Sequence, residues 1–212
     1  MQVTLYYCFL YLQYVKGWNF FPREIAALSK IAPNIYSALQ EASEERGKIQ
    51  PFTAECYYSL PGPPVAAMVL QDLKSLGFKM AERKKGLDFN HCSLVLKTLA
   101  KYHATSVVLY EQKPELFQTL EENIFQEKNK SDLETYYGQR LKFLASQVIT
   151  WPEYDERYAT KLRKVSEIFP DYVMKITPRQ DGDFNVLIHG DLWLNNMMFR
   201  YSESTAEVQD VR

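Results

Sequence analysis

His189, Asp191 and Asn196 are residue types that can move a phosphoryl group, and they stand at a telling spacing. The string Ile188-His189-Gly190-Asp191-Leu192-Trp193-Leu194-Asn195-Asn196 reads His-Gly-Asp, four residues, then Asn. Phosphoryl transfer asks a protein mainly for positioning and charge control. One carboxylate must lie beside the attacking hydroxyl to orient it and take its proton, a task that suits Asp191. One neutral oxygen must hold a magnesium ion against nucleotide phosphates, a task that suits the side-chain carbonyl of Asn196. His189 precedes the carboxylate and is expected to brace the loop by hydrogen bonds. His-Gly-Asp alone is also an ordinary turn, because Gly relaxes the backbone and Asp caps it. The full string separates the two readings, since adjacent amides between a Trp and two Met residues are poor packing choices.

The flanks should position these groups. Val186-Leu187-Ile188 is predicted to be a short buried strand and Met197-Met198-Phe199 another, leaving the polar residues on a loop between apolar anchors. Upstream, residues 22 to 46 follow a helical pattern through Ile25, Leu28, Ile31, Ile35 and Leu39, with Pro33 expected to kink or divide it. Thr53 to Ser59 and Val65 to Leu73 read as strands around the breaker-rich turn Leu60 to Pro64. From Asp88, a plausible N-cap, the pattern turns helical through Val108. Pro114 to Ile124, Leu133 to Ile149 and Tyr154 to Phe169 are predicted helices, the last stopped by Pro170.

The string HGDLWLNNMMF, with Asp210-Val211-Arg212 after a polar hairpin, resembles the ecdysteroid kinase-like (CHK kinase-like) family. That family belongs to the aminoglycoside phosphotransferase and choline kinase branch of the protein-kinase-like fold. Met68 to Phe78 resembles its hinge strand and following turn, Leu99 to Ala104 its first large-lobe helix, and Phe21 to Ile25 the small-lobe helix carrying its ion-pair Glu. The resemblance implies an α+β fold, with a partial small lobe and hinge strand over 1–73 and an incomplete, mostly helical large lobe over 74–212, its catalytic loop at 188–196. It implies ATP and Mg2+ as cofactors, Glu24 in the ion-pair role, and Gln71, Asp72 and Leu73 beside the nucleotide, an exposed linker turn being the alternative for those three. The acceptor it implies is a small lipophilic hydroxylated molecule of ecdysteroid type.

Departures from the family pattern accompany the match. The family continues from Asp-Val-Arg into an Asp-Phe motif whose Asp binds a second magnesium, and this sequence stops at Arg212. No Gly-rich loop precedes Glu24, and Lys16 stands too close to Glu24 to be the phosphate-binding Lys. The expectation is the middle of a kinase with both ends cut or replaced. Two functions remain open at this point: an ATP-dependent phosphotransferase, or a truncated or degenerate kinase-like protein that binds without catalysis.

Composition narrows the classes further. A hydrophobic fraction of 46% with 14% aromatics points to a folded globular chain. Net charge of −1 with interspersed signs gives no electrostatic case for nucleic acid or an anionic membrane. Cys8, Cys56 and Cys92 are scattered and suit reduced thiols in the cytoplasm. Leu5 to Leu12 is too short for a membrane span and reads as a buried strand, a misplaced start being the alternative. His103 is expected to be structural, His91 has still less claim to chemistry, and Glu82 to Lys85 is expected to be a solvated loop. Trp193 is expected to pack under the loop or to line the acceptor site.

Overall fold

In a computed structural model, the described residues are 3–5, 18–43, 49–62, 66–154, 156–180 and 182–212. The chain forms two compact units, one of residues 1–7, 20–120 and 184–212, the other of 8–19 and 121–183. Every residue expected to do chemistry falls in the first.

In that first unit, Ile25, Ile31 and Ile35 recur on one face of a helical segment and are buried there. The segment comprises α1 (Phe20–Ala26), a π-helical turn (Ala27–Ile31) and α2 (Ala32–Ala42). Pro33 does not divide it. Its missing N–H and bulky ring are absorbed by the wide turn just before it. Ile31 and Ile35 close a core with Leu109 and Phe117.

Three antiparallel strands, β1 (Val3–Leu5), β2 (Cys56–Pro61) and β3 (Ala66–Gln71), pair in the order β1-β3-β2. The two expected strands thus appear with shifted ends. The rest of the apolar start, from residue 6 to Leu12, lies outside the described residues, as do Cys8 and Lys16. After β3, Gly77 takes φ +82, a left-handed conformation that closes the turn at little cost for Gly. The chain then enters α3 (Phe89–Gln112), whose first turn is capped by the Asp88 carboxylate accepting the His91 N–H at 3.0 Å.

The segment Val186-Leu187-Ile188 is not the expected buried strand. Its Leu187 N–H donates to Ser106 Oγ of α3 at 3.0 Å, and Ile188 is 73% exposed. Strand character needs a ladder partner, and the neighbouring strands are already paired: β4 (Phe199–Tyr201) pairs with β5 (Val208–Val211), and Phe199 also with Lys79. Met198 exchanges both backbone bonds with Arg212 at 2.6 and 2.8 Å. Met197, Phe199 and Val211 bury a second core against Leu94 and Val95. His91 ties this hairpin to α3, its Nε2 lying 3.0 Å from the Tyr201 hydroxyl.

The second unit holds α4 (Lys130–Leu133), a π-helical turn (Glu134–Gly138), α5 (Gln139–Val148) and α6 (Glu156–Ile176). Trp18, Leu133 and Val173 form its core. Two helical expectations are corrected. The run from Pro114 is only a 3-10 turn, Pro114–Phe117, and farther on the Asn123 side chain takes the Phe125 N–H, offering the backbone an alternative to helix. Pro170 does not stop α6 but lies buried within it. The N–H it lacks would have bonded the Ser166 carbonyl. Gly138 allows close approach at that carbonyl, since a Cβ there would lie 3.3 Å from Ser166 O. Among the described residues no helix is long and apolar enough to cross a membrane.

Candidate active site

Gly190 has φ +81, and nothing lies within 4 Å of where its Cβ would be. Backbone conformation, not crowding, therefore selects Gly there, and it aims the next residue into the loop. The Asp191 carbonyl accepts the Trp193 N–H at 3.0 Å and the Asn196 amide at 3.0 Å. The same amide nitrogen donates to Asp191 Oδ2 at 2.8 Å. Trp193 closes the circuit, its carbonyl accepting the Asn196 N–H at 2.9 Å as Leu194–Asn196 turns in a 3-10 bend. With its NH2 group committed to Asp191, Asn196 keeps Oδ1 as the atom it can offer elsewhere.

His189 behaves as a brace. Its Nδ1 accepts the Asp191 N–H at 3.3 Å. Desolvation by burial holds its pKa below the ordinary value, against an opposing pull from the Asp191 charge. A neutral ring with an unprotonated Nδ1 is what this hydrogen bond requires.

The residues expected at a hinge, Gln71 to Leu73, lie in the same unit, with mixed outcomes. Gln71 Oε1 accepts from Arg212 Nη1 at 3.3 Å, tying β3 to the end of the hairpin that follows the loop. The Gln71 N–H is used by the Glu55 carbonyl at 2.8 Å. The Asp72 carboxylate caps the next turn by accepting the Lys74 N–H at 3.0 Å, and the Leu73 carbonyl accepts from Phe78 at 3.1 Å. These side chains and backbone groups are thus largely occupied in holding the turn.

Glu24, on α1, lies within electrostatic reach of Asp191. Its carboxyl pKa is raised, first by desolvation among crowded protein atoms and second by the Asp191 charge. A carboxyl raised on folding loses stability as pH climbs through its folded pKa, because the charged form is the disfavoured one. Glu24→Gln is therefore expected to raise the thermal midpoint at pH 7 and leave it nearly unchanged at pH 4, where Glu24 is largely protonated. Thermal unfolding at both values checks the sign.

The charged run Glu82 to Lys85 was expected to be a solvated loop, and all four residues are exposed, Lys85 pairing with Glu82 at 2.7 Å. Sequence reasoning missed one contact there: Arg83 lies 5.6 Å over the ring of Trp193, which is 44% exposed and not packed beneath the loop. No local signal joins two residues so distant in the chain. Among the described residues, no group of three or more His, Cys, Asp or Glu is arranged to hold a metal ion.

The model of the ecdysteroid kinase-like family matches residues 10–212. No curated protein and no solved structure matches the chain. A match over that span shows that the chain belongs to the ecdysteroid kinase-like family, a family of kinase-like fold.

Proposed function

We propose that this protein transfers the γ-phosphoryl group of ATP to a hydroxyl of a small lipophilic molecule, an ecdysteroid or a similar steroid. The observation that carries the reading is the hydrogen bond of 2.8 Å from Asn196 Nδ2 to Asp191 Oδ2. It fixes a base and an amide oxygen side by side on one turn. Asp191 Oδ1 then serves the acceptor: it orients the hydroxyl and takes its proton as the oxygen attacks. His189 holds the loop and Glu24 lies next to the base. Gln71, Asp72 and Leu73 form the hinge beside the nucleotide, between a small-lobe portion (1–73) and a large-lobe portion (74–212).

The donor set fits one magnesium ion, with Asn196 Oδ1 the ligand and the acidic neighbourhood of Asp191 and Glu24 favouring a cation. A magnesium ion bound there would neutralise charge on the nucleotide phosphates. Ile188, Leu192 and Trp193 stand exposed on the loop itself, at 73%, 41% and 44%, and suit an apolar acceptor. Free thiols at Cys56 and Cys92 suit the reducing cytoplasm.

The test is incubation with MgATP and a panel of hydroxylated steroids, with mass spectrometry of the products. A phosphate monoester of one panel member is the expected result. Protection by ATP against thermal unfolding, without any product across sterol and other alcohol acceptors, would replace this reading with that of a kinase-like binding protein.

A further inference from the structure

Trp193 is the hub of the loop, because its backbone N–H bonds the Asp191 carbonyl at 3.0 Å and its carbonyl receives the Asn196 N–H at 2.9 Å. Any shift of Trp193 therefore displaces both residues on which the proposed chemistry depends. Burial does not secure its side chain, which is 44% exposed. Among the described residues, the ring's recorded partner is the Arg83 guanidinium at 5.6 Å. We propose that Arg83 is a positioning residue that pins the catalytic loop through the Trp193 ring.

Three features make Arg83 suited to this. Its nearest carboxylate in the run, Glu82, is engaged by Lys85, and no ion pair of Arg83 occurs among the described residues, so the guanidinium is available to the ring face. The turn that carries it is fixed internally, Lys85 and Gly86 N–H both donating to the Glu82 carbonyl at 3.0 and 3.2 Å, with Gly86 at φ +71. The turn is also held at both ends. Upstream, Lys79 exchanges backbone bonds with Phe199 at 2.9 and 2.8 Å. Downstream, Asp88 caps α3. Since Phe199 lies just past Asn196, the path from loop to β4, to Lys79, to Arg83 and back to Trp193 is closed. Loop and turn are thereby held in one arrangement.

The proposal rests on the phosphotransfer reading, and its test separates the two. Arg83→Ala is expected to lower kcat for the steroid acceptor about tenfold, through a displacement of well under an ångström, while KM for ATP changes less than about twofold. Arg83→Lys, which keeps a cation near the ring, should recover most of that loss, whereas general damage to the fold would lower the thermal midpoint and show no such rescue. Acrylamide quenching in a Trp151→Phe background gives a second readout. There Trp18 is 1% exposed and shielded, so quenching reports Trp193, and Arg83→Ala should increase it. Unchanged kcat and unchanged quenching in Arg83→Ala would overturn the proposal. Increased quenching in Arg83→Ala, together with no turnover of the wild-type protein on any acceptor, would keep the clamp but remove its catalytic purpose, and the phosphotransfer reading would fall with it.

Discussion

Replacing Asp191 by Asn is expected to lower phosphoryl transfer by about 10²–10⁴-fold, the usual weight of a positioned general base. The variant removes basicity while keeping shape. An Asn at this position still offers a carbonyl oxygen to the Asn196 amide, so the 2.8 Å tie can persist. The main-chain bonds from Trp193 and Asn196 to the 191 carbonyl do not involve the side chain. The thermal midpoint and KM for ATP should therefore stay close to wild type while kcat collapses. The neighbouring carboxyl supplies an internal check. Asp191 is one of the two causes that raise the Glu24 pKa, so its neutralisation should bring that pKa down. Carboxyl titration by NMR measures this without any substrate. A variant that retained full turnover would remove Asp191 from the role of base, even if the Glu24 shift appeared as expected.

What could be read from the sequence follows the range of the physics involved. The turn at the His-Gly-Asp…Asn string was legible because it acts over a few residues: Gly190 takes φ +81, and Asn196 bonds back to Asp191 within the same short segment. The Asp88 cap was legible for the same reason: a cap acts over one helical turn. Pro170 misled because its penalty is local whereas its remedy is not. Pro cannot donate to the Ser166 carbonyl, but the buried face of α6 and the absent side chain of Gly138 let the helix continue through it. Val186 to Ile188 misled because apolar residues, two of them β-branched, show a taste for strands without naming a partner edge, and Ser106 on α3 took the Leu187 N–H instead. Glu24 lies on a helix, as the pattern of apolar residues around it predicts, whereas its neighbourhood with Asp191 is a tertiary fact. Arg83 over Trp193 is the extreme case, since neither residue's own surroundings in the chain point to the other.

Asn196→Ala should also reduce transfer strongly, by about 10²–10³-fold, on the scale of losing one preorganised electrostatic group. Two causes are combined in that loss. One is the proposed metal ligand, Oδ1; the other is the donor Nδ2, which steadies Asp191 through its carbonyl at 3.0 Å and its carboxylate at 2.8 Å. Asn196→Asp separates them. It supplies a stronger ligand for a hard cation, but it puts a carboxylate where a donor faced Asp191 Oδ2, so two acceptors meet and one carboxyl is pushed toward protonation. If the tie matters most, Asn196→Asp should remain as impaired as Asn196→Ala at every magnesium concentration. If the ligand matters most, added magnesium should restore Asn196→Asp and not Asn196→Ala. The double variant decides whether the two residues act as a unit: Asn196→Ala should cost far less once Asp191 is already Asn, because groups that work together are not additive. Full additivity of the two losses would mean that the 2.8 Å contact has no part in transfer.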